Sequence, residues 1–234
     1  LSSTRLTNDL DVPAARRGDS PQSPVQHPKS NNKLLKLEEN PMAVYEYGRI
    51  QKLADSLVKA GVEQETIDAV MAGGELIKKS AAPVKKSDWM KQAMDRMDNL
   101  MDPEVKHSVR EACACCLAGK RHEIARSIAK DNPNLDDAIK AANEAKYVFG
   151  HSVTVEEDGR ILVCFEPDVK ESYRCVCLPK AREPISETYC YCCGGHIKHH
   201  LQTALNRKLR CEVRTTALSS GSKKPCSFLF VVEE

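Results

Sequence analysis

The hydrophobic pattern of this chain changes period near residue 150, and that change decides the class of fold. Before it, apolar residues recur every three to four positions, the spacing of a helix with one buried face; after it they alternate, the spacing of a strand with one dry face. Within 45–60, Ile50, Leu53, Ala54, Leu57 and Val58 form one stripe, which Gly61 ends. A second stripe over 64–79 is interrupted by Gly73 and Gly74, a kink or a break. Ser87 and Asp88 read as the cap of a helix over 89–101, with Met90, Met94, Met97 and Met101 on one face. A methionine stripe at that spacing packs as core. Pro103 suits a first helical turn before Val105, Val109, Ala112 and Cys116, which sets the first cysteines at a helix C-terminus with Gly119 as its cap. Short helices over 122–130 and after the cap Asn134 complete this half.

Beyond 150, Val153 and Val155 alternate with polar residues, Asp158-Gly159 gives a type I′ turn signal, and Ile161, Val163 and Phe165 alternate on the return. Residues 173–178 read as a third extended piece. Ile197, Leu201, Ala204 and Leu205 mark a helix behind a cysteine- and glycine-bearing elbow, and 209–215 and 226–232 read as further strands. The expected fold is α+β, with a helical region over 42–150 and an antiparallel sheet packed on a helix over 151–234. Residues 1–41 have no aromatic residue and no sustained apolar period, and are expected to be disordered. Leu37, Glu38 and Glu39 can be encoded by a purine-rich ribosome-binding sequence, so translation is expected to start at Met42.

Eleven cysteines all fall between Cys113 and Cys226, and eight of them form three tight groups: Cys113, Cys115 and Cys116; Cys175 and Cys177; Cys190, Cys192 and Cys193. The odd count and the adjacent pairs argue against a disulfide scaffold and for metal or thiol chemistry in a reducing compartment. No run of eighteen apolar residues and no secretory signal occurs, so a cytoplasmic protein without a membrane segment is expected. The net charge of +2 does not suggest a nucleic-acid binder. Zinc favours four soft ligands in a tetrahedron, and the pairs Cys175/Cys177 and Cys190/Cys192 can supply them, with Cys113, Cys115 and Cys116 completing the same centre or a second one. An iron–sulfur cluster is the other metal reading, separable by its colour.

The run from Cys192 to Gly195, the amphipathic helix behind it, the strand from Lys208 to Arg214 and the closing pattern from Gly221 through Cys226 to Phe228 resemble the small-molecule-binding domain named after 4-vinyl reductase. The segment from Met42 onward also resembles a bacterial cysteine-rich family of unassigned function. The first resemblance implies zinc beside a ligand pocket, with Cys192 and Cys226 as ligands, and it admits a homodimer. Ala217 stands where that domain usually has cysteine, so Cys190, Cys193, Cys175 or Cys177 would have to substitute.

The helix after the elbow carries His196, Lys198, His199 and His200 with no acid among them. Cations in a first turn oppose the helix dipole, so an anion is expected there, and His196, Lys198 and His199 are the candidate contacts to a small, possibly anionic, molecule. The alternative is catalysis. Cys192 or Cys193 at a helix N-terminus would be an activated nucleophile with His196 one turn away as its base, and the chain distantly resembles cysteine-bearing hydrolases of small cyclic amides, the aminothiazoline carboxylate hydrolase type.

Overall fold

The structure is a computed structural model and describes residues 44–233. The expectations for 1–41 and for a start at Met42 lie outside the described residues. The chain folds as α+β. Helices α1 (Gly48–Lys59), α2 (Gln64–Met71), α3 (Pro83–Leu100), α4 (Pro103–Ala112), α5 (Lys120–Asp131), α6 (Leu135–Glu144) and the single turn α7 (Lys146–Phe149) precede a hairpin of β1 (Ser152–Val155) and β2 (Ile161–Cys164). A long loop then leads to α8 (Tyr191–Leu205), β3 (Lys208–Thr215) and β4 (Ser227–Glu233). The sheet is antiparallel throughout, in the order β1-β2-β4-β3. No helix among the described residues is long and apolar enough to cross a membrane.

The expected apolar stripes meet in one hydrophobic core that runs from Ile50, Leu53 and Leu57 through Met90, Met94 and Met97 to Phe228 and Phe230. The methionines are core, as their spacing predicts. Asn134 caps α6, its Oδ1 accepting from the Asp137 N–H at 2.9 Å. Asn143 then ties α6 to the sheet edge, accepting from the Val153 N–H at 2.7 Å and donating to the Val153 carbonyl at 2.6 Å.

Several local readings change. Helix α3 starts at Pro83, where a proline ring is tolerated, and Ser87 lies buried inside it with its hydroxyl donated to the Pro83 carbonyl. Helix α4 stops at Ala112, so Cys115 and Cys116 sit in a loop, and Gly119, at φ +70°, opens α5 instead of closing α4. In the hairpin only Gly159 has positive φ, and the Glu156 N–H donates to the Arg160 carbonyl at 2.8 Å. That is a three-residue loop with a left-handed glycine in place of a type I′ turn. Residues 173–178 form no strand: the Tyr173 N–H goes to the Ser222 carbonyl and the Leu178 N–H to the Cys175 sulfur.

The largest change concerns Gly194 and Gly195, which lie within α8 and not in an elbow before it. Helix α8 passes between α4 and α5 on one side and β3 on the other. A Cβ on Gly194 would stand 2.5 Å from the Cys211 sulfur, and one on Gly195 would stand 2.5 Å from the Glu111 carbonyl oxygen and 2.9 Å from its Cα. The two glycines are the clearance that lets α8 approach the sheet and α4 at once. Replacing Gly195 with alanine drives a methyl group into the backbone of α4, which has no flexible side chain to yield. Gly195→Ala is expected to cost about 1–3 kcal/mol or more and to lower the melting temperature by several degrees. Gly48→Ala, where nothing lies within 4 Å, should stay within about 0.5 kcal/mol of the parent; equal melting curves for the two variants would refute this account of the packing.

Candidate functional site

Polar contacts fix how the chain enters α8. Ser186 accepts from the Thr188 N–H and caps the 3-10 turn Glu187–Cys190, and the Thr188 hydroxyl donates to Asp98, which is also ion-paired with Lys106 at 2.8 Å. Arg110 of α4 reaches from the other side and donates from Nη2 to the Tyr189 carbonyl at 3.0 Å, its guanidinium lying 4.8 Å over the Tyr189 ring. Cys192 and Cys193 therefore stand in the first turn of α8 at fixed positions.

Facing them is the 173–178 loop, held by Arg49, whose Nη1 donates to the Cys177 carbonyl at 2.6 Å. The thiols of Cys175, Cys177, Cys193 and Cys192 neighbour one another in that order, with side-chain hydrogen bonds between Cys175 and Cys177, Cys177 and Cys193, and Cys193 and Cys192. The adjacent thiols of Cys175 and Cys193 hold Cys177 far below the ordinary thiol range, with the charges of Arg49 and Arg110 assisting. Cys193 does the same for Cys192, lowering it to about 7, with Arg110 again assisting. Cys193 has one S–H and two thiolate neighbours to give it to, so Cys192 and Cys177 compete for one proton.

Arg110 is 3% exposed, its Nε has no hydrogen-bond partner, and no carboxylate pairs with it among the described residues. Its charge is answered by thiols, those of Cys113 and Cys192 foremost. A buried guanidinium without an anion is costly, so thiolate character in this cluster is what the surrounding charge favours.

A pocket of about 280 Å³ opens on the cluster and is lined by Cys175, Cys177, Cys193 and Cys226 together with His196 and Ala217. Its rim carries the cations Arg121, Lys146 and Arg174 against the single acid Glu166. His196 places Nδ1 2.7 Å from the Cys115 carbonyl. A carbonyl only accepts, so Nδ1 bears the hydrogen and Nε2 is left as the basic nitrogen. Burial pushes the pKa of this ring below its usual value.

The other expected residues divide around this site. Cys190 is buried, with its thiol on Thr216 and near Cys226, and burial raises it to about 12. Cys113 donates weakly to the Ser56 hydroxyl at 3.5 Å, and the Cys115 and Cys116 side chains are exposed. Of the three expected ligand contacts only His196 lines the pocket. Lys198 is ion-paired with Glu111 at 2.8 Å, and His199 stacks on His122 of α5. Among the described residues, one group of three or more His, Cys, Asp or Glu side chains has its ligand atoms all within 4.8 Å: His122, His199 and His200. Arg49, Arg110 and His122 were not legible as site residues, because each stands alone in a helical pattern and acquires its role through contacts more than 60 residues away.

No curated protein and no solved structure matches the chain. Residues 44–225, nearly all of the described fold, match a family of unknown function, and the chain therefore belongs to that family, DUF6144.

Proposed function

We propose that the protein is a metal-containing, small-molecule-binding protein in which Cys175, Cys177, Cys192 and Cys193 hold zinc beside the pocket that the first, second and fourth of them line. The observation that carries this reading is buried Arg110 facing thiols with no carboxylate partner. A zinc ion with four thiolates has a net charge of about −2, which Arg49 and Arg110 together offset. The four sulfurs follow one another in a row, so side-chain rotation must gather them around an ion. The excess of cations at the rim suits an anionic ligand, with His196 as a hydrogen-bonding contact. The succession of α8, β3 and β4, with Cys226 reaching the same pocket as Cys193, supports likeness to the 4-vinyl reductase domain. Eleven free cysteines suit a reducing compartment such as the cytoplasm.

A second reading has its own support. Cys177 and His196 line one pocket, the thiolate form of Cys177 is favoured, and His196 is held with a free basic nitrogen. A cysteine-dependent hydrolase of small cyclic amides would use those two groups, with Cys192 as the other activated thiol.

Metal analysis separates the two. Protein purified under reducing conditions should contain about one zinc per chain and show about four thiols protected from alkylation. Cys177→Ser and Cys193→Ser should each lose the metal and melt at lower temperature. Full reactivity of every thiol, with no metal bound, would overturn the zinc reading.

Metal-free protein tests the electrostatics. The pKa of Cys177 is depressed in the folded chain, so its thiolate persists at pH values where a free thiol is protonated and is lost only as pH falls through the folded value. Between pH 8 and pH 6 its alkylation rate should fall little, whereas an ordinary thiol slows roughly a hundredfold. Cys175→Ala, which removes the largest of the effects that hold the Cys177 thiolate, should restore part of the ordinary pH dependence, and an unchanged profile would remove Cys175 from the account.

A further inference from the structure

The histidine cluster next to His196 carries an assignment independent of the thiols. His122 comes from the first turn of α5, and His199 and His200 from the middle of α8, two helices packed directly on each other. One ring nitrogen of each lies within 4.8 Å of those of the other two. His199 Nε2 and His122 Nδ1 face each other at 3.3 Å. That separation admits a hydrogen bond when one of the two rings donates. It matches the edge of a tetrahedral site, where two nitrogens about 2.0–2.1 Å from an ion stand about 3.3–3.4 Å apart.

His200 supplies the third nitrogen and the second, independent observation. It is fully buried, at 0% exposure, and its Nε2 lies 3.0 Å from the Cys116 carbonyl. Because the carbonyl can only accept, Nε2 bears the hydrogen and the lone pair is on Nδ1, which is buried and has no partner. A buried acceptor without a donor is costly unless something electron-poor meets it. Metal-bound histidines show the same arrangement, with one nitrogen on the ion and the other N–H donated to a backbone carbonyl.

We infer that His122, His199 and His200 form a three-histidine site for a divalent first-row transition-metal ion, with Cys116 orienting His200 and a fourth coordination position left open. Three neutral imidazoles leave the ion its full charge, and His122 and His199 are only half-buried, so water or an anion can reach that position. The set has no thiolate and no carboxylate, which suits zinc, nickel or cobalt over magnesium or calcium. The assignment stands whether or not the thiols bind zinc.

The test is a Co2+ titration of the full-length reduced chain, followed by absorption. Nitrogen-ligated cobalt shows visible ligand-field bands, and thiolate-ligated cobalt adds intense sulfur charge transfer in the near ultraviolet, so the two centres are read separately. A component without sulfur charge transfer should appear in the parent protein. It should weaken at least about a hundredfold in both His122→Gln and His199→Gln, since loss of even an orienting partner costs ten- to a hundredfold. These half-buried substitutions avoid the core, and metal-free melting curves matching the parent would verify folding. Cobalt should also raise the melting temperature of the parent more than that of either variant. Uptake and spectra unchanged by both substitutions, or no histidine-type component in the parent, would overturn the assignment. Absence of the sulfur band alone would count against the thiol centre and leave this one standing.

Discussion

The close contact of α8 with its two neighbours is the constraint on which the rest of this structure depends. A helix normally stands off from a sheet and from another helix by the thickness of its side chains. At Gly194 and Gly195 that thickness is absent, and the backbone of α8 meets the Cys211 sulfur on one side and the Glu111 main chain on the other. Every group with chemistry on α8 lies within about two turns of this contact. Cys192 and Cys193 precede it and His196, His199 and His200 follow it, so their directions are set by a helix that cannot slide or rotate without collision. The glycines give up helix propensity, about 1 kcal/mol each relative to alanine, and the packing they permit offsets it.

Charge placement around the first turn follows a second logic. Cations close to the thiols outnumber acids, and the nearby acids are engaged elsewhere: Asp98 with Lys106 and Thr188, Glu111 with Lys198. Arg110 is thus buried with only a carbonyl, an aromatic face and sulfur for company. An arrangement that withholds carboxylates from a buried arginine and surrounds it with thiols makes ionised sulfur the cheapest source of compensation. That holds equally for sulfur on a metal and for a free nucleophilic thiolate, and for this reason the two readings of the pocket share one electrostatic origin.

Periodicity revealed most of the architecture because burial of one face leaves a regular trace: the stripes of Ile50 to Leu57 and Met90 to Met101, and the alternation over Lys208 to Cys211, all lie where their spacing predicts. What escaped is what spacing does not encode. Gly194 and Gly195 carry the same letters in an elbow as in a close helix contact, and only the approach of Glu111 and Cys211 tells them apart. Cys175 and Cys177 resemble a strand by alternation, yet the Tyr173 N–H beside them bonds to the Ser222 carbonyl and the Leu178 N–H to the Cys175 sulfur, partners invisible locally. Cys193 joins Cys177 while Cys190 turns to Thr216, a choice made by helix rotation and not by proximity in sequence.

The loop between α4 and α5 shows why the histidines matter separately. Its exposed cysteines, Cys115 and Cys116, contribute through their main chains: one carbonyl meets Nδ1 of His196 and the other meets Nε2 of His200. A left-handed conformation at Cys116, φ +59°, is part of how this loop presents both oxygens to α8. Because each carbonyl demands a hydrogen, the two rings are fixed as opposite tautomers, with lone pairs on Nε2 of His196 and Nδ1 of His200. Side chains four residues apart share one helix face and would otherwise be chemically equivalent. The loop makes them different: the ring that lines the thiol-lined pocket keeps its lone pair on Nε2, and the ring grouped with His122 and His199 keeps it on Nδ1.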